Sequence, residues 1–242
     1  MRTSITILLT LFVTQCIASE DLFLQANEKY MIEDYIEASR LYEQILTNGL
    51  ESSELYYNLG NCYYHIQDYA NSIWYYEKSL LLKNYKQTRE NLELSNLEII
   101  DKIDTFPKIF YLKWWSDFVQ LNSTWNWQMI AIICIWSTLI FVLVTIFSSL
   151  NLTKLIFASI FISSLFFSAA NSSYNKNLES SAIIFTSIIN VKSAPTQAGK
   201  KLFSLHSGTK VKIKDQIGNW LNIEISNGDK GWIEKESCKI II

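Results

Sequence analysis

The chain has two histidines, His65 and His206, and four cysteines, Cys16, Cys62, Cys134 and Cys238. Neither set is spaced for catalysis or metal binding. The cysteines stand far apart and make no metal-ligand spacing. No His-Glu-x-x-His pair, Gly-rich phosphate loop, nucleophile elbow or Cys–His pair is present. Serine and aspartate are plentiful but lack a framework that would position them. The expectation is therefore a protein that is not an enzyme, with no cofactor and no metal. The remaining chemistry is recognition. Asn27, Tyr30, Tyr57, Asn58, Asn61, Tyr64 and His65 could line a polar, aromatic groove, and Trp220 and Trp232 a second one. Amides and phenols exchange hydrogen bonds, and aromatic rings stack. The plainer alternative for the first group is solvated polar positions with packing aromatics. For the tryptophans it is the core or rim of a small barrel.

The elements that would position the first group repeat. Leu22 to Leu46 matches Tyr56 to Leu80 at an offset of 34 residues. Ala26 pairs with Gly60, Asn27 with Asn61, Tyr30 with Tyr64, Asp34 with Asp68, Ala38 with Ser72 and Tyr42 with Tyr76. A 34-residue period with small residues at a helix crossing is the tetratricopeptide signature. Ala26, Ala38, Gly60 and Ser72 are the expected close-approach positions. Tyr63, Tyr69, Ile73 and Tyr76 are expected to fill the space between the paired helices, with Asp68 at the turn. A third helix, about Tyr85 to Ile103, would cover the open end. Asn27 and Asn58 match the asparagine pair of carboxylate-clamping tetratricopeptide domains. The clamp's cation positions fall on Phe23, Thr88 and Leu92, which departs from that pattern. Ser19 to Asp117 carries 17 acidic and 9 basic residues, a net of −8. Such a groove favours a basic or neutral partner.

The composition, 49% hydrophobic and 18% charged over 242 residues, is too apolar for an average soluble chain. The excess is local. Met129 to Ser148 carries no charge, and Leu155 to Ala170 is a second apolar run inside an uncharged window from Lys154 to Lys176. The first run and the window around the second are each long enough to span a bilayer. Trp114, Trp115, Trp125 and Trp127 precede the first span as an interfacial belt. The N-terminus reads as a secretory signal, with Arg2, an apolar Ile5 to Val13 and Cys16-Ile17-Ala18 at the cleavage site. A lipoprotein signal would instead acylate Cys16, and Gln15 fits that signal poorly. The expected order is a signal peptide at 1–18, a repeat domain at 19–105 and an interfacial segment at 106–127. Transmembrane helices at 128–149 and 153–173 and a β domain at 180–242 follow. A cleaved signal and two spans would leave both soluble domains outside the cytoplasm. Three arginines and a net charge of −2 exclude a nucleic-acid binder of the basic-patch kind.

The last segment alternates as short strands at Ser187–Val191, Lys210–Lys214, Trp220–Ile225 and Gly231–Ile233. Gly208, Gly218, Asn227-Gly228 and Gly231 punctuate them. Asn190-Val191-Lys192-Ser193-Ala194-Pro195, Ser207-Gly208-Thr209-Lys210-Val211, Gly218-Asn219-Trp220-Leu221 and Gly228-Asp229-Lys230-Gly231-Trp232-Ile233 resemble the motifs of bacterial SH3-like barrels. Lys192 and Ala194 stand where those barrels usually carry Arg and Gly. Tyr174 to Ile242 has 10 Lys and 6 acidic residues, a net of +4. The two soluble domains thus have opposite signs and could dock on each other or on partners.

Taken together, the chain reads as a multidomain membrane protein. It has an all-α tetratricopeptide solenoid, a transmembrane helical hairpin and an all-β SH3-like barrel. In that order the parts resemble the BatE family of the Bacteroides aerotolerance operon. The junction from Asn91-Leu92-Glu93-Leu94 through Asp101-Lys102-Ile103-Asp104 and Phe106-Pro107 to Trp114-Trp115 is similar to that family's linker. The resemblance implies a bacterial inner-membrane location with both soluble domains in the periplasm. It also implies association with von Willebrand A-type membrane proteins and a MoxR-type ATPase, and a role in stress tolerance. The expected function is a non-catalytic envelope scaffold that binds protein partners. The alternative is a membrane protein that binds peptidoglycan through its SH3-like barrel.

Overall fold

The computed structural model describes residues 19–103, 109–148, 150–177 and 179–241. The signal segment at 1–18 and the junction residues Asp104, Phe106 and Pro107 lie outside them. Residues 19–31 form helix α1. Then come α2 (Tyr35–Thr47), α3 (Ser53–His65), α4 (Tyr69–Leu82) and α5 (Lys86–Glu98). The 34-residue period is visible in the backbone. Asp34 caps α2 through the Glu37 amide, and Asp68 caps α4 through the Asn71 amide. Each such cap contributes about 1 kcal/mol. The residue before each aspartate turns left-handed, Glu33 at φ 64° and Gln67 at φ 63°. Tyr42 donates to Asn27 Oδ1 at 2.5 Å, and Tyr76 donates to Asn61 Oδ1 at 2.6 Å.

Small residues sit where the helices cross. Ala26, Ala38 and Ser72 are fully buried. A Cβ on Gly60 would lie 2.5 Å from the Tyr76 ring, so only glycine fits there. Ser72 Oγ donates to the Gly60 carbonyl at 2.9 Å and lies 3.0 Å from Ser95 Oγ. The core joins Leu41, Tyr42 and Ile45 to Leu55, Leu59 and Cys62. Tyr63 stacks on Tyr75, and both phenols donate to Glu43 of α2, at 2.6 and 2.9 Å. They therefore tie α2 to the next helix pair. Ile73 differs from expectation: it packs with Ala70, Ile183 and Ile241, turned toward the β domain. The third helix stops at Glu98 because Ile99 is extended, with ψ 158°.

The β domain is a seven-stranded antiparallel sheet in the order β3-β2-β6-β5-β4-β1-β7. Its strands are β1 (Ser181–Ile184), β2 (Ile188–Lys192), β3 (Lys201–His206), β4 (Lys210–Ile217), β5 (Trp220–Glu224), β6 (Lys230–Glu234) and β7 (Cys238–Ile241). Val191, Val211, Leu221, Ile223 and Ile233 fill its interior. Four strands carry readable alternation or turn signals. β1, β3 and β7 do not: β1 is four residues long, three of them buried in succession, so it has no alternating pattern.

The described residues form two compact units. One combines Met1–Thr105 with Ser180–Ile242, and the other is Phe106–Glu179. The second holds α6 (Phe110–Gln120), α7 (Thr124–Phe147) and α8 (Thr153–Asn177). Helices α7 and α8 are long and apolar enough to cross a membrane, with mean hydropathies of 2.8 and 1.7 in their most apolar windows. Only 6% and 22% of those windows is buried within the chain. A serine–threonine seam joins the two helices, with Ser159 Oγ 2.6 Å from Thr138 Oγ1. Trp127 is buried against Val119, Ala169 and Ala170, and its indole donates to the Val119 carbonyl at 2.9 Å. Trp114 and Trp125 remain exposed.

Candidate functional site

Helices α1, α3, α4 and α5 enclose a pocket of about 240 Å³ lined by Tyr30, Tyr57, Asn61, Tyr64, His65, Tyr76, Asn91 and Leu94. Five of the seven groove residues named from the sequence meet here. Asn27 and Asn58 do not line it. Both turn to Tyr42, Asn27 accepting its phenol and Asn58 Nδ2 donating to it at 3.3 Å. They hold a buried tyrosine in place. Asn61 is half committed, since its Oδ1 accepts from Tyr76 and from Asn91 Nδ2 at 2.9 Å. Asn91 also donates to Tyr57 at 3.2 Å. Asn91 was missed in the sequence because it lies on the third helix, outside the repeat. The signal was available: Asn91 is one 34-residue step beyond Tyr57.

The rings form a corner. His65 lies flat on Tyr35, with centroids 4.1 Å apart and planes 4° apart. Tyr30 and Tyr64 stand nearly perpendicular to it, at 73° and 81° and 6.0 Å each. Burial pushes the Tyr30 phenol up to about 12, so it stays a neutral donor. The pocket thus offers aromatic faces, phenols and amides. Cys62 lies buried behind it, and burial pushes its thiol up to about 12, so it is an inert packing group. Among the described residues, no three His, Cys, Asp or Glu side chains gather as they would around a metal.

The β domain has a second pocket, of about 320 Å³, whose lining includes Ile188, Asn190, Lys192, Trp220, Glu234 and Glu236. Trp220 and Trp232 are both half-buried and lie outside the core cluster. Alternation explains why: Leu221 and Ile223 point inward, as does Ile233, so their neighbours Trp220 and Trp232 point out. Trp220 lines the pocket, with Lys192 Nζ 5.1 Å from its ring centroid. Trp232 does not line it; it stands across from Lys192 and Asn222 in the sheet.

Sequence reasoning found no role for Asp101, which joins the helices to the β domain. Asp101 Oδ2 accepts the His206 amide at 2.7 Å and the Thr209 hydroxyl at 2.6 Å. Its Oδ1 lies 2.7 Å from His206 Nδ1. Burial raises the pKa of this carboxyl, but the Thr209 and His206 hydrogen bonds and the His206 ring outweigh it, so the net shift is downward. Around it, Lys210 pairs with Glu77 at 2.6 Å, Lys239 donates to Asn71 at 3.1 Å, and Trp74 donates to the Ile240 carbonyl at 3.2 Å. A Cβ on Gly208, at φ 91°, would lie 2.4 Å from Ile99 Cγ2. The acidic helices and the basic β domain dock on each other.

Residues 187–237 match the bacterial SH3 domain family, a stretch running from just before β2 to the turn before β7. No curated protein matches the chain.

Proposed function

We propose that this protein is a membrane-anchored, non-catalytic scaffold of the bacterial envelope. Its helical domain is a tetratricopeptide solenoid whose groove takes a segment of a protein partner. Its SH3-like domain supplies a second contact. The resemblance to the BatE family points to von Willebrand A-type membrane proteins and a MoxR-type ATPase as partners in stress tolerance. The observation that carries this reading is the discontinuous unit. Residues before and after the two apolar helices build one body, joined by Asp101, His206 and Thr209. Such a body forms only if both segments lie on the same side of the membrane. That supports a hairpin anchor, and with a cleaved signal the side is the periplasm. Docking leaves both pockets on one support, which suits an adaptor.

The test is affinity purification of the tagged full-length protein from detergent-solubilised membranes of the bacterium that encodes it. Stoichiometric von Willebrand A-type proteins or the ATPase are expected in the eluate. A preparation free of protein partners would count against the scaffold.

The second reading is peptidoglycan binding by the β domain. It is favoured by the bacterial SH3 match at 187–237 and by the outward indole of Trp220 beside a pocket. Co-sedimentation of the detergent-solubilised protein with purified cell wall, lost on Trp220→Ala, would support it.

A further inference from the structure

We infer that the pocket between α1, α3, α4 and α5 is an aromatic cage for the cationic side chain, lysine or arginine, of a bound segment. This rests on the groove reading above and names the chemistry that the groove selects. Three independent features converge on a cation.

The first is ring geometry. His65 is stacked on Tyr35; Tyr30 stands edge-to-face beside that pair, 5.2 Å from Tyr35 and 6.0 Å from His65, and Tyr64 stands nearly perpendicular to His65. Tyr57 and Tyr76, tilted 45° to each other with centroids 6.0 Å apart, line the same pocket. Ring faces are negative and ring edges positive, so a cation entering this aromatic lining is attracted wherever it meets a ring face.

The second is open hydrogen-bonding capacity. Among the described residues, Asn61 and Asn91 are bonded through Asn61 Oδ1 and Asn91 Nδ2. That leaves Asn91 Oδ1 as an acceptor and Asn61 Nδ2 as a donor among the described residues. The Tyr30 and Tyr64 phenols likewise have no hydrogen-bond partner among the described residues. An ammonium group brings three donors and a guanidinium five, and carbonyl and phenol oxygens can accept them.

The third is charge. Residues 19–103 hold 15 acidic and 7 basic side chains. Other lysines of the chain already sit on aromatic rings, Lys78 over Tyr56 and Trp74, Lys83 over Tyr85 and Lys239 over Trp74 and Phe185. None of the described lysines or arginines sits over Tyr30, Tyr57, Tyr64 or Tyr76. The cage has the surroundings to hold a cation and none of its own.

The experiment titrates full-length protein in detergent micelles, with 13C-labelled tyrosine and histidine rings. The probes are Nα-acetyl-lysine methylamide and its trimethyl-lysine analogue, with the norleucine and glutamate analogues as controls. The cationic probes are expected to shift the Tyr30, Tyr64 and His65 resonances saturably. They should do so at about ten-fold lower concentration than norleucine, the factor given by about 1.4 kcal/mol of cation–π attraction. Tyr64→Phe, which keeps the ring but loses one acceptor, should weaken the response only in part, and Tyr64→Ala should lose it without a change in melting temperature. An equal response to norleucine, a preference for glutamate or no saturable shift would overturn the cage. Should Tyr64→Ala unfold the helices, the wild-type comparison of lysine with norleucine still decides. Failure of the cage is distinguishable from failure of the scaffold. Partner capture that depends on Tyr64, combined with no lysine preference, would keep the groove and reject the cation. Absence of any captured partner would reject the scaffold itself.

Discussion

Asp101 and His206, 105 residues apart in the chain, meet through two contacts of 2.7 Å, from the carboxylate to the backbone amide and to the ring Nδ1. The same carboxylate takes the Thr209 hydroxyl. One side chain at the end of the helical domain thus satisfies the turn between β3 and β4. Hydrogen bonds to a charged group contribute about 1.5–3 kcal/mol each in favourable cases.

Asp101→Asn keeps the shape but removes the charge. We expect a loss of about 2 kcal/mol in stability and faster amide hydrogen exchange at His206 to Thr209. Unchanged exchange at that turn would show that Asp101 does not hold the docking.

The same contact sets a pH dependence. The folded pKa of Asp101 lies below its ordinary value, so the unfolded state binds the proton more tightly. The contribution is fully present above about pH 4, the unfolded aspartate range, and is lost as pH falls through the depressed folded value. Thermal melts of wild type and Asp101→Asn should therefore differ above about pH 4 and converge as pH falls from there through the depressed folded value.

Gly60 meets the Tyr76 ring with no room for a Cβ. Gly60→Ala should cost about 1–3 kcal/mol through forced displacement of that ring, and Gly60→Leu should unfold the helix pair. Circular dichroism melts check both. A normal melt for Gly60→Leu would contradict the close crossing.

Asn61 serves the fold as well as the pocket. Asn61→Ala leaves the Tyr76 phenol and Asn91 Nδ2 without their acceptor, which should cost about 1–3 kcal/mol. Tyr64→Ala, whose phenol has no such partner, should melt close to wild type. Differential scanning calorimetry of the two variants separates the roles.

Burial alternates along the β5 and β6 strands of the β domain. Leu221→Ala should cost about 2–5 kcal/mol, because Leu221 is fully buried and leaves a cavity. Trp220→Ala and Trp232→Ala, outside the core cluster, should each cost far less in a denaturant titration.

Much of the architecture was legible because it is periodic. The 34-residue offset places Ala26 and Gly60, Asp34 and Asp68, and Tyr42 and Tyr76 in equivalent roles, and the structure repeats the same caps and hydrogen bonds. The two apolar runs emerge as helices α7 and α8, and the glycine-punctuated strands form one antiparallel sheet. Single residues within the groove were harder to read. Asn27, Asn58 and Asn61 look alike in sequence, yet two point to Tyr42 and one lines the pocket. A helix face is set by a period, but the direction of one amide is set by the partner it finds.

Local pattern alone encodes the helix repeats, the apolar runs, the hairpin turns and the opposite charge of the helical and β parts. The tertiary structure alone decided which of those charged surfaces meet. It brought Asp101 to His206, Glu77 to Lys210 and Ile99 against Gly208, across an intervening stretch that contains both apolar helices. No local pattern marks those contacts, because each depends on two distant surfaces fitting in shape and charge at once. The aromatic corner of Tyr30, Tyr64 and His65 has the same origin, since its rings come from α1 and α3 and take their angles only when those helices pack.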